Sequence, residues 1–299
     1  MTKMDINRFL TYLREEKNAS DNTVTAYGRD IRSFEKYMSE RASSPECATK
    51  TDVVTYLMEL GKSGRSKATT NRRLASLRAY YGFMIAEGVV KQDPTAGIRT
   101  PRAERRELDY LTIEETEKLL SMPDDSIKGK RDRAILEVLY GTGIRVMELI
   151  ELNIGELNMR MGFVTCSGNH GKPRIVPIGS YAKRALEDYI AESRPALMRG
   201  RDHQNDDESP LFINYTGERF TRQGLWKVLK AYGRGADMED RITPHILRTS
   251  FAVHMVQNGA DIKALQELLG YDDVQAMQVF MQVSGSRIKD VYDKTHPRA

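Results

Sequence analysis

His245 and Arg248 stand three residues apart, a spacing that turns an imidazole and a guanidinium to one face of a helix. Pro244 just before them favours a helix start, because the first helical position needs no backbone N–H. A second guanidinium, Arg145, follows the run Gly141-Thr142-Gly143-Ile144. A planar guanidinium can donate two parallel hydrogen bonds to phosphate oxygens, so the set suits recognition of a phosphate. The plainer reading of Arg145 is an ion pair with a nearby acid, for which Glu148 stands ready. The Gly-rich stretch Gly168-Asn169-His170-Gly171-Lys172 adds an imidazole that could donate a proton, although an exposed turn residue is the simpler reading of His170.

Charge points the same way. Between Lys62 and Arg106 there are eleven Lys or Arg, Lys62, Arg65, Lys67, Arg72, Arg73 and Arg78 among them, against three acids. A stripe of that density fits a surface that tracks phosphates and releases their counterions, making binding salt-dependent; the alternative is a solvated helix face. The net charge of +4 decides nothing by itself. Composition is 40% hydrophobic and 29% charged, and no apolar run reaches membrane-spanning length. The N-terminus lacks the apolar core of a secretory signal, from which a cytoplasmic location is expected. Cys47 and Cys166 are far apart and read as reduced fillers rather than a disulfide.

The chain, 299 residues long, has room for two domains. Apolar side chains recur at three- and four-residue intervals over Asp5–Leu13, Thr23–Phe34, Thr51–Leu60 and Ser66–Glu87, predicting four or five helices, with Ser20 and Asp21 starting the second. In the last segment Leu74, Leu77, Tyr81 and Met84 share the core face, with Arg72, Arg73 and Arg78 beside them. Prolines, glycine and charges without an apolar period make residues 93–107 a linker between domains at 1–92 and 108–299. Thr112 and Glu115 then form a capping box that starts a new helix. Helices are expected over Arg131–Tyr140, Val146–Leu152, Ser180–Glu192 and Thr221–Gly233, with β-runs at Gly162–Cys166 and Arg174–Ile178 and a loop at Arg199–Ser209. The fold class is mainly α with a small β-sheet.

Several motifs carry a resemblance. Thr243-Pro244-His245-Ile246-Leu247-Arg248, Asn258-Gly259-Ala260-Asp261, Leu268-Leu269-Gly270-Tyr271-Asp272-Asp273 and Gln278-Val279-Phe280-Met281-Gln282-Val283 resemble in order and spacing the C-terminal signature of the tyrosine site-specific recombinases, most closely the Xer type. Gly141-Thr142-Gly143-Ile144-Arg145-Val146-Met147-Glu148-Leu149 is similar to the segment that carries the family's first arginine, and His296-Pro297-Arg298-Ala299 looks like the Xer C-terminus. The resemblance implies an N-terminal helical, SAM-like core-binding domain that clamps duplex DNA and a C-terminal catalytic-type domain. It also implies no cofactor and no metal: a tyrosine attacks a DNA phosphate, two arginines and a histidine stabilise the pentacoordinate phosphorus, and a lysine protonates the leaving oxygen. Arg145, His245 and Arg248 fall on the matching positions, and Glu148 is expected to buttress them by pairing or capping.

Other positions depart from the pattern. Aligned back from Arg174-Ile175-Val176-Pro177-Ile178, the family's lysine position holds Asn169, whose amide cannot protonate an alkoxide; Lys172, three residues on, matches a second lysine. Thr249 replaces a common histidine, Tyr271 stands at the position of the second pocket histidine, and Phe280 takes the place of the nucleophilic tyrosine with the same ring but no oxygen. The expectation is a protein of this fold that binds double-stranded DNA and has lost strand cleavage, acting as a structural or regulatory partner in recombination. The resemblance further implies a homo-oligomer, or a hetero-oligomer with an active relative, built by a C-terminal helix bearing Ile288, Val291 and Tyr292. The alternatives are an active recombinase with another nucleophile or an introduced change at 280, and a protein-interaction module that no longer contacts DNA.

Overall fold

The structure, a computed structural model, describes residues 5–99, 108–167, 173–198, 207–272, 277 and 280. It divides into two compact units, 1–106 and 107–299. In the first, four helices run α1 (Ile6–Glu15), α2 (Asp21–Ser39), α3 (Lys50–Lys62) and α4 (Lys67–Ala86). Each starts on a side-chain cap: Asp5, Ser20, Thr49 and Ser66 accept from backbone N–H groups that have no partner inside the helix. Leu74, Leu77, Tyr81 and Met84 of α4 are buried against Phe9, Val24, Ile31, Phe34 and Val53, as the apolar spacing requires.

The second unit opens on α5 (Ile113–Leu120), where Thr112 and Glu115 form the expected capping box. It continues through α6 (Ile127–Thr142) and α7 (Val146–Glu151) to a three-stranded antiparallel sheet of β1 (Leu157–Asn158), β2 (Phe163–Cys166) and β3 (Arg174–Pro177). Val164 pairs with Val176, and both turn into the core with Cys166, leaving Thr165 and Ile175 on the other side. The expected helix over Ser180–Glu192 breaks into α8 (Ser180–Asp188) and a π-helical turn, Tyr189–Ser193, before the short α9 (Arg194–Leu197). Tyr189 is fully buried there and donates its hydroxyl proton to the Leu211 carbonyl at 2.9 Å, a tertiary contact that periodicity does not register. Then come α10 (Arg222–Gly235), α11 (Pro244–Gln257) and α12 (Ile262–Leu269). The expected loop over Arg199–Ser209 lies mostly outside the described residues.

Candidate phosphate-binding site

The end of α12 organises the site. The last carbonyls of a helix have no partner within it and attract positive charge. Here three arginines from distant parts of the chain take them: Arg174 Nε donates to Leu268 O at 2.8 Å, Arg248 Nη2 to Leu269 O at 2.6 Å, and Arg145 Nη2 to Gly270 O at 2.6 Å. Gly270 caps the helix with φ 64°, and a Cβ on it would come within 3.1 Å of the Arg174 guanidinium. Arg248 also donates to the carbonyl of Gly143, the left-handed cap of α6, at 2.6 Å. A Cβ at Gly143 would strike the Phe251 ring at 2.4 Å, so a glycine is required by the packing as well as by φ.

Glu148 ties the group together. Its carboxylate accepts from Arg145 Nη1 at 2.9 Å and the Arg145 backbone N–H at 2.6 Å, and from Arg174 at 2.5 and 2.8 Å. Burial works against its ionisation, but the hydrogen bonds from Arg174 and the Arg145 backbone and the two positive charges prevail and hold its pKa below the ordinary carboxylate value. The expected buttressing role and the ion-pair reading of Arg145 are therefore both true of one arrangement. Burial pushes the pKa of Arg248 down, an effect opposed by the Tyr271 phenol.

Arg145, His245, Arg248 and Tyr271 line one open cleft of about 490 Å³, with Val146, Thr243 and Pro244, and with Arg222 and Trp226 from α10. The Tyr271 ring lies against both guanidinium groups, its centroid 4.9 Å from Arg248 Cζ and 5.9 Å from Arg145 Cζ. His245 is exposed at the start of α11, whose N-cap Thr243 accepts from Ile246 N at 3.1 Å. The cleft thus offers three guanidinium groups, an imidazole and a phenol to one anion, a donor set that suits a phosphodiester.

Phe280 does not line that cleft. It is 5% exposed in a separate apolar cluster with Phe251, Val253, Val256, Leu265, Leu269 and Met277. In this structure the ring serves packing. Thr249 is buried as well. Asn169, His170 and Lys172, the rest of the tail including Gln282, and Ile288, Val291 and Tyr292 lie outside the described residues. Burial pushes the Cys166 thiol up to about 12, as befits a core filler. Among the described residues there is no cluster of three or more His, Cys, Asp or Glu able to hold a metal ion, and no helix long and apolar enough to cross a membrane.

The basic stripe of the first unit is divided. Lys62, Arg65, Lys67, Arg72 and Arg78 are exposed, and Arg78 donates to the Ile98 carbonyl. Arg73 turns inward: its guanidinium donates to Ser33 Oγ at 2.8 Å and to the Tyr56 hydroxyl, with Nε 3.6 Å from Asp30. Sequence reasoning also passed over Arg174, Arg222 and Trp226. The chain's single tryptophan, exposed on an amphipathic helix, is a signal for Trp226; Arg174 opens the run Arg174-Ile175-Val176-Pro177-Ile178, which served only to set the register of the hairpin.

The match to known proteins spans both units. Residues 109–287 fit the model of the phage integrase family, and residues 6–88 that of the phage integrase N-terminal SAM-like domain. The chain belongs to the phage integrase family. It is 41% identical to a tyrosine recombinase XerD of Oceanobacillus iheyensis across 100% of both chains, and 41% identical to one of Listeria innocua across 98% of this chain and 99% of that one. Among solved structures, it matches a XerH site-specific recombinase bound to palindromic difH substrate with a TM-score of 0.76 at 19% identity, covering 96% of this chain and 84% of that chain. The Tn1549 transposon integrase in complex with a circular intermediate DNA gives 0.75 at 19%, covering 96% and 100%. At that identity these structures speak to the fold, which is that of the tyrosine recombinases: a SAM-like helical domain followed by the recombinase catalytic domain.

Proposed function

We propose that this chain binds double-stranded DNA through its helical N-terminal unit and the Arg145, His245, Arg248 cleft, and that it does not cut it, serving recombination as a structural or regulatory member of an assembly with an active relative. The observation that carries the reading is the contrast inside the second unit. The phosphate-binding side chains are held in place by Glu148 and the end of α12, whereas position 280 carries a ring without an oxygen, packed among Phe251, Leu265 and Met277. Asn169 at the lysine position removes the proton donor for the leaving group as well. Partner contacts are assigned to residues beyond 284, and the setting is the cytoplasm.

The test is a nicked suicide duplex that traps a covalent protein–DNA adduct through denaturant. The unmodified chain is expected to give none. Phe280→Tyr alone is expected to recover little, and Phe280→Tyr with Asn169→Lys more than either change, because both act on one step. One observation favours a second reading: Tyr271 is a phenol at the cleft itself, against both arginines. A robust adduct from the unmodified chain, mapped to Tyr271, would replace the silent-partner reading with an enzyme that uses a different nucleophile.

A further inference from the structure

Helix α4 exposes Ala68, Arg72, Ala75, Gly82 and Ala86, positions spaced so that they fall along one strip of its surface. Arg72 is the only long side chain of the five. A large flat partner can therefore approach the helix closely there and still meet a cation. That cation is anchored. Asp30 of α2, 2% exposed, accepts from Arg72 Nη1 and from Ser76 Oγ at 3.2 Å, and lies 3.6 Å from Arg73 Nε.

One buried carboxylate needs one counter-charge, and Arg73, 14% exposed and bonded to Ser33 and Tyr56 as well, supplies it from within the core. Arg72 is 42% exposed and leaves the trio with a net positive charge. The cleft of the second unit has the same design, in which Glu148 holds the more buried Arg174 and the more open Arg145. An arginine already held by a carboxylate has lost most of its rotamer freedom, so a further bond to an oxyanion costs it little more ordering.

We propose that Asp30 is a positioning residue for DNA. It fixes Arg72 on the small-residue strip of α4 so that the N–H groups not bonded to Asp30 contact one backbone phosphate of the duplex, while Arg73 is the structural half of the pair. This rests on the reading that the first unit engages DNA. It goes beyond that reading by naming the contact and the acid behind it.

The experiment measures affinity of the full chain for a mixed-sequence duplex by fluorescence anisotropy across a salt series, with thermal unfolding as a check on folding. Arg72→Gln is expected to weaken binding about tenfold and to lower the slope of log K against log salt by about one unit, the signature of one lost phosphate contact. Asp30→Asn separates positioning from simple electrostatics. Removing an acid from a basic surface should tighten binding if charge alone matters, whereas release of Arg72 should weaken it about threefold with the slope retained. Arg72→Lys keeps the charge without the planar fork, and is expected to weaken binding with the slope unchanged even where Asp30→Asn proves too unstable to assay. Tighter binding by Asp30→Asn, or an unchanged slope in Arg72→Gln while the unmodified chain binds, overturns the proposal alone. Absence of any duplex binding by the unmodified chain overturns both this proposal and the DNA-binding reading beneath it.

Discussion

Asp30 in the first unit and Glu148 in the second each bury a carboxylate against two guanidinium groups, one turned inward and one left open to solvent. The surroundings differ. Around Asp30 the inward arginine, Arg73, is completed by the hydroxyls of Ser33 and Tyr56, so two neighbouring helices and α3 suffice to build the group. Around Glu148 the arginines go on to the carbonyls at the end of α12, more than ninety residues away in sequence for Arg174 and more than a hundred for Arg145. The acid behind the cleft is thus the joint of a long-range closure, and the acid in the helical unit is a local clamp. A cation held by a clamp can move when its helix moves, whereas a cation held by the closure is fixed to the whole unit.

The largest effect should come from removing the joint. Glu148→Ala leaves Arg174 buried without its carboxylate and is expected to cost about 3–5 kcal/mol in denaturant unfolding of the second unit, with Asp30→Ala costing a similar amount in the first. A marginal loss at Glu148 alongside a large one at Asp30 would reverse the distinction between joint and clamp.

Acid should act on the joint next. The folded-state pKa of Glu148 is depressed, so its stabilisation is fully present above the unfolded carboxylate value and is lost as pH falls through the lower folded value. The second unit should therefore lose stability progressively below the ordinary carboxylate range, and Glu148→Gln should make its stability less dependent on pH there. An identical acid limb in the variant would mean that other carboxylates carry the effect.

The smallest effect concerns Phe280, which stands in the apolar cluster beside the closure rather than in it. A hydroxyl introduced by Phe280→Tyr has an apolar environment to enter, and should cost about 1–3 kcal/mol unless the ring swings out to the cleft. A neutral or stabilising result would indicate that the new phenol has found the arginines, and would sharpen the case that the cleft still accommodates a nucleophile.

Much was legible in sequence wherever a local rule applied. The capping box at Thr112 and Glu115, the N-cap at Ser20, the helical start at Pro244 and the apolar face of α4 follow from interactions within a few residues, and the structure has them as spacing dictates. The cleft residues Arg145, His245, Arg248 and Tyr271 could be picked out because they lie in short runs of matching type and order. For two residues the surroundings were not legible. Arg73 and Phe280 were located by neighbours in sequence, but their surroundings come from elsewhere in the fold: Asp30, Ser33 and Tyr56 for the one, Phe251, Leu265 and Met277 for the other.

The sequence by itself determined where the helices begin, which side of each turns inward, and which side chains could bind a phosphate, because those properties depend on short-range geometry and on chemical type. Only the tertiary structure decided which arginines face solvent and which are spent on buried acids. It alone brought Arg145, Arg174 and Arg248 to the end of α12, since the acceptors there are backbone carbonyls that every residue carries and no side-chain pattern can mark.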